Sequence, residues 1–302
     1  MPDHSETRAS KSHQAHEEHM KKLVHEKDQR LFVLKNKDCY AYWIHTETLR
    51  IMSPLMDRRN TWLTIGDYNG FEAQYLLEHG QEAVASDISD TFLKEAKEEG
   101  LINAYRKENV ERINLEENSF DYVSCREAFH HFPRAYLGLY EMIRVAKKGA
   151  IIVEPVDPLM TMPLMLWIKN ICDRINPFLI NKLWKNRFSW ETVGNYVFKI
   201  SEREIEKMAM GIGLPCIAFR TCNMLNKNLT VKNQFEVPIN QHLKKQAIRS
   251  TRIRDFFSRI GLIPYNTLIA VIFKEIPDET LQENLKKKGY KVLPLPPNPY
   301  LK

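Results

Sequence analysis

Residues 61–72, with the sequence TWLTIGDYNGFE, constrain the fold of this chain more than any other segment. An apolar run ends at Gly66, a polar bend leads to Gly70, and the helical pattern FEAQYLLEHG follows. A buried strand, a tight turn and a helix in this order present backbone N–H groups at a helix N-terminus, where a cofactor can bind. The segment therefore predicts the first strand–turn–helix unit of a nucleotide-binding α/β fold.

A second short strand is predicted in EAVASDIS, at residues 82–89. It places Asp87 about 20 residues after Gly66, where doubly wound nucleotide folds place the acid that binds ribose hydroxyls. The glycine spacing differs from the dinucleotide pattern G-x-G-x-x-G, because Tyr68 stands where the middle glycine would let the backbone approach a pyrophosphate. A cofactor that lacks a pyrophosphate does not require a glycine at this position.

The chain continues with alternating strand and helix patterns, which predict a parallel sheet with right-handed crossovers. The fold class we expect is α/β, with a doubly wound, seven-stranded, mostly parallel sheet. Ligands in such sheets bind outside the carboxyl ends of the strands, and Gly66, Asp87, Asn109 and Arg126 all lie at or near those ends. The predicted strands are residues 62–66, 83–87, 104–107, 120–125, 149–153, 214–222 and 266–274, and the predicted helices between the first five are 70–79, 90–99 and 134–146.

Several ordered segments resemble the class I S-adenosylmethionine-dependent methyltransferases, of the methyltransferase type 11 kind. Residues 61–72 resemble their motif I, D-x-G-x-G-x-G: Gly66 and Gly70 match, whereas Thr64 and Tyr68 depart from it. The segments ENVERINLEENSFDYV, SCREAFHHFP and KKGAIIVEPVD resemble the family's later motifs, in the same order. The resemblance covers residues 49–157 in register and 201–275 more loosely. It implies a Rossmann-like methyltransferase fold whose seventh strand is antiparallel.

The resemblance also implies S-adenosylmethionine as the cofactor. The glycines would let the backbone approach the methionine moiety, the acid after the second strand would hold both ribose hydroxyls, and the segment after the third strand would bind adenine. The arginine after the fourth strand corresponds to a contact with the methionine part. The residues so implied are Gly66, Asp67, Gly70, Asp87, Ile88, Asn109, Val110 and Arg126.

Methyl transfer from a sulfonium requires mainly alignment of the reactants and exclusion of water. A hydroxyl acceptor would also benefit from a general base, and His130, His131 and Glu127 are the candidates on the loop after the fourth strand. The alternative is that these histidines only bind backbone groups of the loop. We see no metal-ligand constellation and expect metal independence; His13, His16 and His19 share a spacing but fit a solvated tail.

Composition predicts an ordinary globular protein of 302 residues with a mild net charge of +6. The cysteine count of five is odd and shows no C-x-x-C pair, which indicates a reducing compartment. The first residues lack the apolar core of a signal peptide, and no uncharged apolar stretch is long enough to span a bilayer. We therefore expect a cytoplasmic location.

The rest of the chain predicts additions to one central domain. A polar tail over residues 1–30 is expected to be disordered or a fraying helix, and residues 31–60 to form a helical cap. The methyltransferase domain is assigned to residues 61–275, and a C-terminal helix with a proline-rich tail to 276–302. Within the domain we expect a helical lid over residues 156–195, which either packs on the domain or contacts an apolar substrate or a membrane surface. A basic insertion over 223–262 is either a solvated face or a phosphate-binding one.

Two functional hypotheses follow from these observations. The first is methyl transfer from S-adenosylmethionine to a small-molecule or carrier-linked acceptor (sugar, lipid-like or quinone-like), with O-methylation preferred; a nucleic acid substrate is not expected. The second is a catalytically silent protein of this fold that binds the cofactor or a partner, with a membrane-peripheral role left open. Three departures from the family's usual residues motivate the second hypothesis. Two are Thr64 and Tyr68 in motif I, and the third is Asn109, which takes the place of the acid expected to meet the adenine amino group.

Overall fold

The computed structural model of the protein describes residues 4–22, 27–176, 178–179, 189–190, 195–225 and 238–300. Its centre is an eight-stranded sheet with the order β3-β2-β1-β4-β5-β7-β6-β8. The strands are β1 (Thr61–Ile65), β2 (Glu82–Asp87), β3 (Tyr105–Lys107), β4 (Phe120–Arg126), β5 (Ala146–Pro155), β6 (Cys216–Cys222), β7 (Thr267–Phe273) and β8 (Lys291–Pro294).

The first five strands are parallel, and the strand order reverses between β1 and β4. Strand β7 lies between β5 and β6 and is antiparallel to both. The chain therefore leaves β1 in one direction to build β2 and β3, and returns to build β4 and β5 on the other side. Such a reversal opens a crevice at the carboxyl ends of the strands, which is where α/β sheets of this kind bind ligands.

Helices cover both faces of the sheet because successive side chains of a buried strand point to opposite faces. Trp62 belongs to the apolar cluster beneath the N-terminal helices, whereas the next residue, Leu63, belongs to the cluster on the other face. The helices are α1 (His4–Lys22), α2 (Lys27–Lys35), α3 (Tyr40–Leu49), α4 (Phe71–Glu78), α5 (Thr91–Glu98), α6 (Ala135–Val145), α7 (Pro163–Ile175), α8 (Glu202–Gly211), α9 (Gln241–Arg259) and α10 (Glu279–Lys287).

The predicted fold class is confirmed, and each predicted strand and helix of the core is present with its ends shifted by a few residues. The strand count of seven was wrong, since the described residues form eight strands. The additional strand β8 pairs antiparallel with β6 at the edge of the sheet, within the proline-rich tail. Proline is tolerated there because an edge strand leaves one row of N–H groups unpaired.

Outside the core, residues 4–22 of the polar N-terminal segment form helix α1, which is the helical one of the two alternatives expected there. The hydroxyl of Ser201 and the carboxylate of Glu204 form a capping box at the start of α8. Helix α3 packs on α9 through a small cluster that contains Tyr40, Ile44 and Ala247. No helix in the described part of the chain is long and apolar enough to span a membrane. The proposed division into tail, cap, domain and insertions stays a prediction.

Candidate functional site

The bend after β1 requires glycine at two positions. Gly66 has a φ of +69°, and a Cβ there would lie 2.3 Å from the Cβ of Ala128, on the loop after β4. Gly70 has a φ of +81° directly before α4, and a Cβ there would lie 2.9 Å from Cγ2 of Ile102. Because side chains other than hydrogen are disfavoured at positive φ, both contacts and conformation select glycine. The bend can therefore pack directly against the loop after β4.

The side chain of Asp67 is buried inside this bend and holds it together. One carboxylate oxygen accepts hydrogen bonds from the backbone N–H of Ala73 and the hydroxyl of Thr64, both at 2.9 Å, and the other accepts from the N–H of Glu72 at 3.2 Å. Asp67 thus stabilises the N-terminus of α4, where a negative charge is favourable. Thr64, which departs from the motif's usual acid, serves as a donor to this carboxylate.

Asp87 is the last residue of β2, at the same edge of the sheet as the bend after β1. Asp87 is 6% exposed, and its Oδ1 accepts a hydrogen bond from the backbone N–H of Ser89 at 2.9 Å. Burial, reinforced by the nearby charge of Asp67, raises the pKa of Asp87 to about 7, against the weaker effect of hydrogen bonds from the backbone of Ser89 and Ile88. Ile88 follows on the loop and is half-buried.

Glu72 and Arg126 form a buried pair beside the bend. The hydroxyl of Ser124 donates to Glu72 at 2.5 Å, and Nε of Arg126 lies 3.7 Å from the other carboxylate oxygen. Burial raises the pKa of Glu72 to about 7, and the charge of Arg126 opposes that rise. The Nε atom of Arg126 is buried without a hydrogen-bond partner among the described residues. Together with Asp67 and Asp87, this region holds three buried carboxyl groups and one guanidinium.

The segment after β3 is covered by the N-terminal helix. The carboxamide oxygen of Asn109 accepts from the N–H of Glu111 at 2.9 Å, and its nitrogen lies 3.4 Å from Nδ1 of His13 on α1. The other ring nitrogen of His13 lies 3.8 Å from the carboxylate of Glu111. A salt bridge of 2.7 Å between Lys107 and Glu17 adds a second contact between this edge and α1. Val110 is buried next to these residues.

The loop after β4 is organised by Glu154, at the end of β5. Its side chain is 0% exposed, and one oxygen accepts from the backbone N–H groups of Ala128 and Phe129, each at 2.8 Å. The other oxygen lies 2.6 Å from Nδ1 of His130. This contact places a proton on Nδ1 and leaves the lone pair of the neutral ring on Nε2. Asn195 donates to the backbone oxygen of His130 at 3.3 Å and fixes the loop from another side.

The other two candidate bases have different environments. His131 packs its ring 4.1 Å from that of His130, and burial lowers the pKa of His131 to about 4, with His130 and His16 adding to the effect. A ring with that pKa is neutral at physiological pH. Glu127 is exposed, and its φ of +52° is unusual for a residue other than glycine, so the backbone at this loop is strained.

All of the predicted site residues lie at the carboxyl edge of the sheet: Asp87 and Arg126 are the last residues of β2 and β4, and the others lie on the loops after β1, β2, β3 and β4. Glu72 and Glu154 were not among the predicted site residues. The signal for Glu154 was available, because an acid that directly follows the apolar run AIIV at a strand end must be buried with a partner. In the described part of the chain, no group of at least three His, Cys, Asp or Glu side chains is placed to hold a metal ion.

Comparisons with known proteins give one family match. Residues 63–153, which run from β1 to β5, match the family model described as a methyltransferase domain. No curated protein sequence matches the chain significantly.

Solved structures with a similar fold include the YcgJ protein of Bacillus subtilis, with 22% identity over 76% of this chain and 99% of that chain and a TM-score of 0.49. An S-adenosylmethionine-dependent methyltransferase from Archaeoglobus fulgidus is 15% identical over 76% of this chain and 92% of its own, with a TM-score of 0.47. A Haemonchus contortus phosphoethanolamine N-methyltransferase 2, solved with phosphomonomethylethanolamine and S-adenosylhomocysteine, is 16% identical over 76% of this chain and 52% of its own, with a TM-score of 0.47.

Proposed function

Residues 63–153 of this chain match a methyltransferase domain, and from that premise we propose that the protein is a class I S-adenosylmethionine-dependent methyltransferase that transfers a methyl group to a hydroxyl of a small-molecule or carrier-linked acceptor. The observation that carries the proposal is the pairing, at one edge of the sheet, of an acidic crevice with a histidine held by a fully buried glutamate.

The chemistry of the crevice fits the cofactor. Asp87 accepts hydrogen bonds from backbone groups and has acceptor capacity left for two ribose hydroxyls, which are donors. The buried Nε of Arg126, which lies 3.7 Å from Glu72 and makes no hydrogen bond among the described residues, suits a carboxylate such as that of the methionine moiety. The excess of buried carboxyl groups over guanidinium favours a ligand that carries a sulfonium and an ammonium.

We assign the cofactor contacts as follows. The backbone at Gly66 and Gly70 lies against the methionine moiety, Asp87 and Ile88 hold the ribose, Asn109 and Val110 bind adenine, and Arg126 binds the methionine carboxylate. Asp67 has its oxygens engaged by α4 and by Thr64, so its part is to hold the bend rather than to contact the ligand through its side chain. Glu72 positions Arg126.

The reaction requires one residue of the chain to accept the proton of the acceptor hydroxyl. When bound, S-adenosylmethionine supplies an electrophilic methyl group and leaves as S-adenosylhomocysteine. The acceptor oxygen forms the new C–O bond while the C–S electron pair stays on sulfur, and Nε2 of His130 takes the hydroxyl proton. Glu154 stabilises the imidazolium so formed and keeps the ring oriented, in the way a buried carboxylate supports a catalytic histidine.

His131 and Glu127 have lesser parts in this proposal. The lowered pKa of His131 makes it a weak proton acceptor, so it serves to pack against His130. Glu127 is the exposed candidate, and its strained backbone sets the direction in which the loop leaves β4. The preference for O-methylation therefore depends on His130 alone.

A carrier-linked or lipid-like acceptor is part of the proposal because of the insertion after β5. Helix α7 exposes Leu164, Trp167, Ile171 and Ile175. An apolar stripe of this kind suits a hydrophobic substrate or a peripheral contact with a membrane better than it suits water.

The test is formation of S-adenosylhomocysteine with a panel of sugar, quinol and lipid-like hydroxyl acceptors. We expect turnover with at least one acceptor, lost in His130→Ala and kept in His79→Ala, an exposed histidine at the C-terminal end of α4. Turnover that His130→Ala leaves unchanged would contradict the assignment of the base.

A silent relative of the family is the second candidate, and the contact between Asn109 and His13 is the observation that favours it. In that case α1 occupies the edge where adenine is proposed to bind. Cofactor binding without methyl transfer to any acceptor would support this candidate, whereas S-adenosylhomocysteine retained by the purified protein would argue against it.

A further inference from the structure

Helix α9 carries a strong excess of positive charge that methyl transfer does not explain. Its 19 residues include six basic residues and one acid, Asp255. The carboxylate of Asp255 accepts hydrogen bonds from Asn223, so its charge is directed to the body of the protein. The basic residues are Lys244, Lys245, Arg249, Arg252, Arg254 and Arg259.

The outward face of α9 also exposes large apolar side chains near its C-terminal end. Phe256 is 60% exposed, Ile260 is 53% exposed and Leu262, just beyond the helix, is 62% exposed. Side chains three, four and seven residues apart share one face of a helix, so Phe256 and Ile260 continue the line of Arg249 and Arg252. One face therefore combines a basic half and an apolar half.

The opposite face of α9 is anchored to the protein. Ala247 is buried in the cluster with Tyr40 and Ile44, and Ser258 is buried and bonded to Asn223. The orientation of the helix is fixed by these contacts. The exposed side chains of Arg249, Arg252 and Phe256 are consequently held outward, whereas Nζ of Lys244 lies 5.8 Å from the centre of the Trp43 ring.

We propose that α9 docks this protein on the surface of an anionic lipid bilayer, with its basic side chains on lipid phosphates and its apolar end in the acyl boundary. An interfacial helix needs both basic and apolar side chains, because apolar burial and attraction to anionic lipids both contribute to membrane affinity. The proposal does not depend on methyl transfer, and binding can be measured without any cofactor.

Other occupants fit the surface less well. A nucleic acid would use the basic side chains, but Ile253, Ile260 and Leu262 would stay in water, because aliphatic groups offer no stacking surface to bases. A second copy related by a two-fold axis would bring the same basic surface against itself, which is repulsive. Helix α7 is also apolar outside, but its Lys169 is paired with Asp173 at 2.7 Å, so the charge excess is a property of α9.

The experiment is flotation of the full chain with vesicles of phosphatidylcholine, with and without phosphatidylglycerol. We expect binding to the anionic vesicles, little binding to the neutral ones, and weaker binding as salt rises. Arg249→Glu with Arg252→Glu should lower the partition at least about tenfold, because each basic residue near an anionic surface contributes about fivefold. Phe256→Ser with Ile260→Ser should lower it by about tenfold or more.

Matched control variants carry the same changes elsewhere on the surface. Lys286→Glu with Lys288→Glu repeats the charge reversal on and beside α10, and Ile276→Ser removes an apolar side chain that is equally exposed. Both controls should float like the unmodified protein. Because all substituted side chains are exposed, the melting temperature of each variant should stay unchanged, which separates loss of binding from loss of fold.

Three outcomes would overturn the proposal: no flotation with anionic vesicles, equal flotation with neutral ones, or equal losses in the control variants. Binding of a single-stranded RNA that needs Arg249 and Arg252, without vesicle binding, would assign the surface to nucleic acid instead. A dimer in light scattering that Phe256→Ser with Ile260→Ser dissociates, again without vesicle binding, would assign it to a second copy.

Discussion

The two sides of the crevice both contain a buried carboxylate at a strand end, but the two carboxylates are used differently. On the β1–β2 side, Asp87 accepts hydrogen bonds from the backbone, and burial raises its pKa to about 7. On the β4–β5 side, Glu154 is fully buried and accepts from two backbone N–H groups and from His130.

The difference indicates what each side can do. A carboxylate whose partners leave part of its acceptor capacity unused is suited to bind a ligand, and its raised pKa shows that the fold alone does not satisfy its charge. A carboxylate whose oxygens are already engaged is suited to hold another side chain in place. We therefore infer that the first side binds the cofactor and the second side prepares the acceptor.

Glu154→Gln is expected to give the largest effect that separates the two sides, and this effect is on the rate of methyl transfer. The amide would present N–H toward Nδ1 of His130 and so favour the wrong tautomer, while its oxygen can still accept from Ala128 and Phe129. We expect kcat to fall by about 10²- to 10⁴-fold. Steady-state kinetics measures it, with S-adenosylmethionine affinity as the control that must stay unchanged. Equal losses in rate and affinity would contradict the assignment of different roles to the two sides.

The reverse pattern is expected for Asp87→Asn. The substitution removes the charge that accepts from two ribose hydroxyls, and we expect the Kd for S-adenosylmethionine to rise by about 10- to 100-fold, since hydrogen bonds to charged groups contribute about 1.5–3 kcal/mol. Fluorescence titration measures the change. Asp57→Asn, an exposed aspartate that accepts from Asn284, is the matched control and should bind normally.

The pH dependence of stability offers a smaller effect on the same residue. The pKa of Asp87 is raised from 3.8 to about 7 in the folded protein, so its contribution to stability is fully present below the ordinary pKa and is lost as pH rises through about 7. In the absence of cofactor, Asp87→Asn should therefore gain stability relative to the unmodified protein as the pH rises from 5 to 8. Denaturant unfolding at several pH values measures it; a difference that does not vary with pH would contradict the origin in burial.

The smallest effect is expected from the contacts that hold α1 over the adenine segment. His13→Ala with Glu17→Ala removes the contacts to Asn109, Glu111 and Lys107. Because partly exposed ion pairs contribute about 0–1 kcal/mol, we expect the dissociation rate of S-adenosylmethionine to rise only about two- to fivefold. Stopped-flow displacement measures it, and Lys11→Ala, an exposed residue on the same helix, is the control.

The cofactor side could be predicted from the sequence because its signals are local. Gly66, Gly70 and Asp87 lie within one strand–turn–helix–strand segment, and the spacing alone places them. The reason for Gly66 is not local, however, since the side chain it excludes would meet Ala128. The departure at Thr64 likewise becomes intelligible only when its hydrogen bond to Asp67 is seen.

The acceptor side could be predicted only in part. His130 was a candidate, but its partner Glu154 lies 24 residues further along the chain, on another strand. Helix α1 was only one of two alternatives for the N-terminal segment, because its polar composition resembles that of a disordered tail and its contacts are made with side chains far along the chain. Strand β8 was missed because four residues among prolines carry little strand signal.

The most direct test of the central claim is isothermal titration of S-adenosylmethionine into the unmodified protein at neutral pH. The arrangement of Asp87, Arg126 and the glycine bend predicts one-to-one binding with a Kd in the micromolar range, about −8 kcal/mol. Absence of binding at a ligand concentration of about 0.5 mM, which corresponds to a free energy weaker than about −4.5 kcal/mol, would contradict the account.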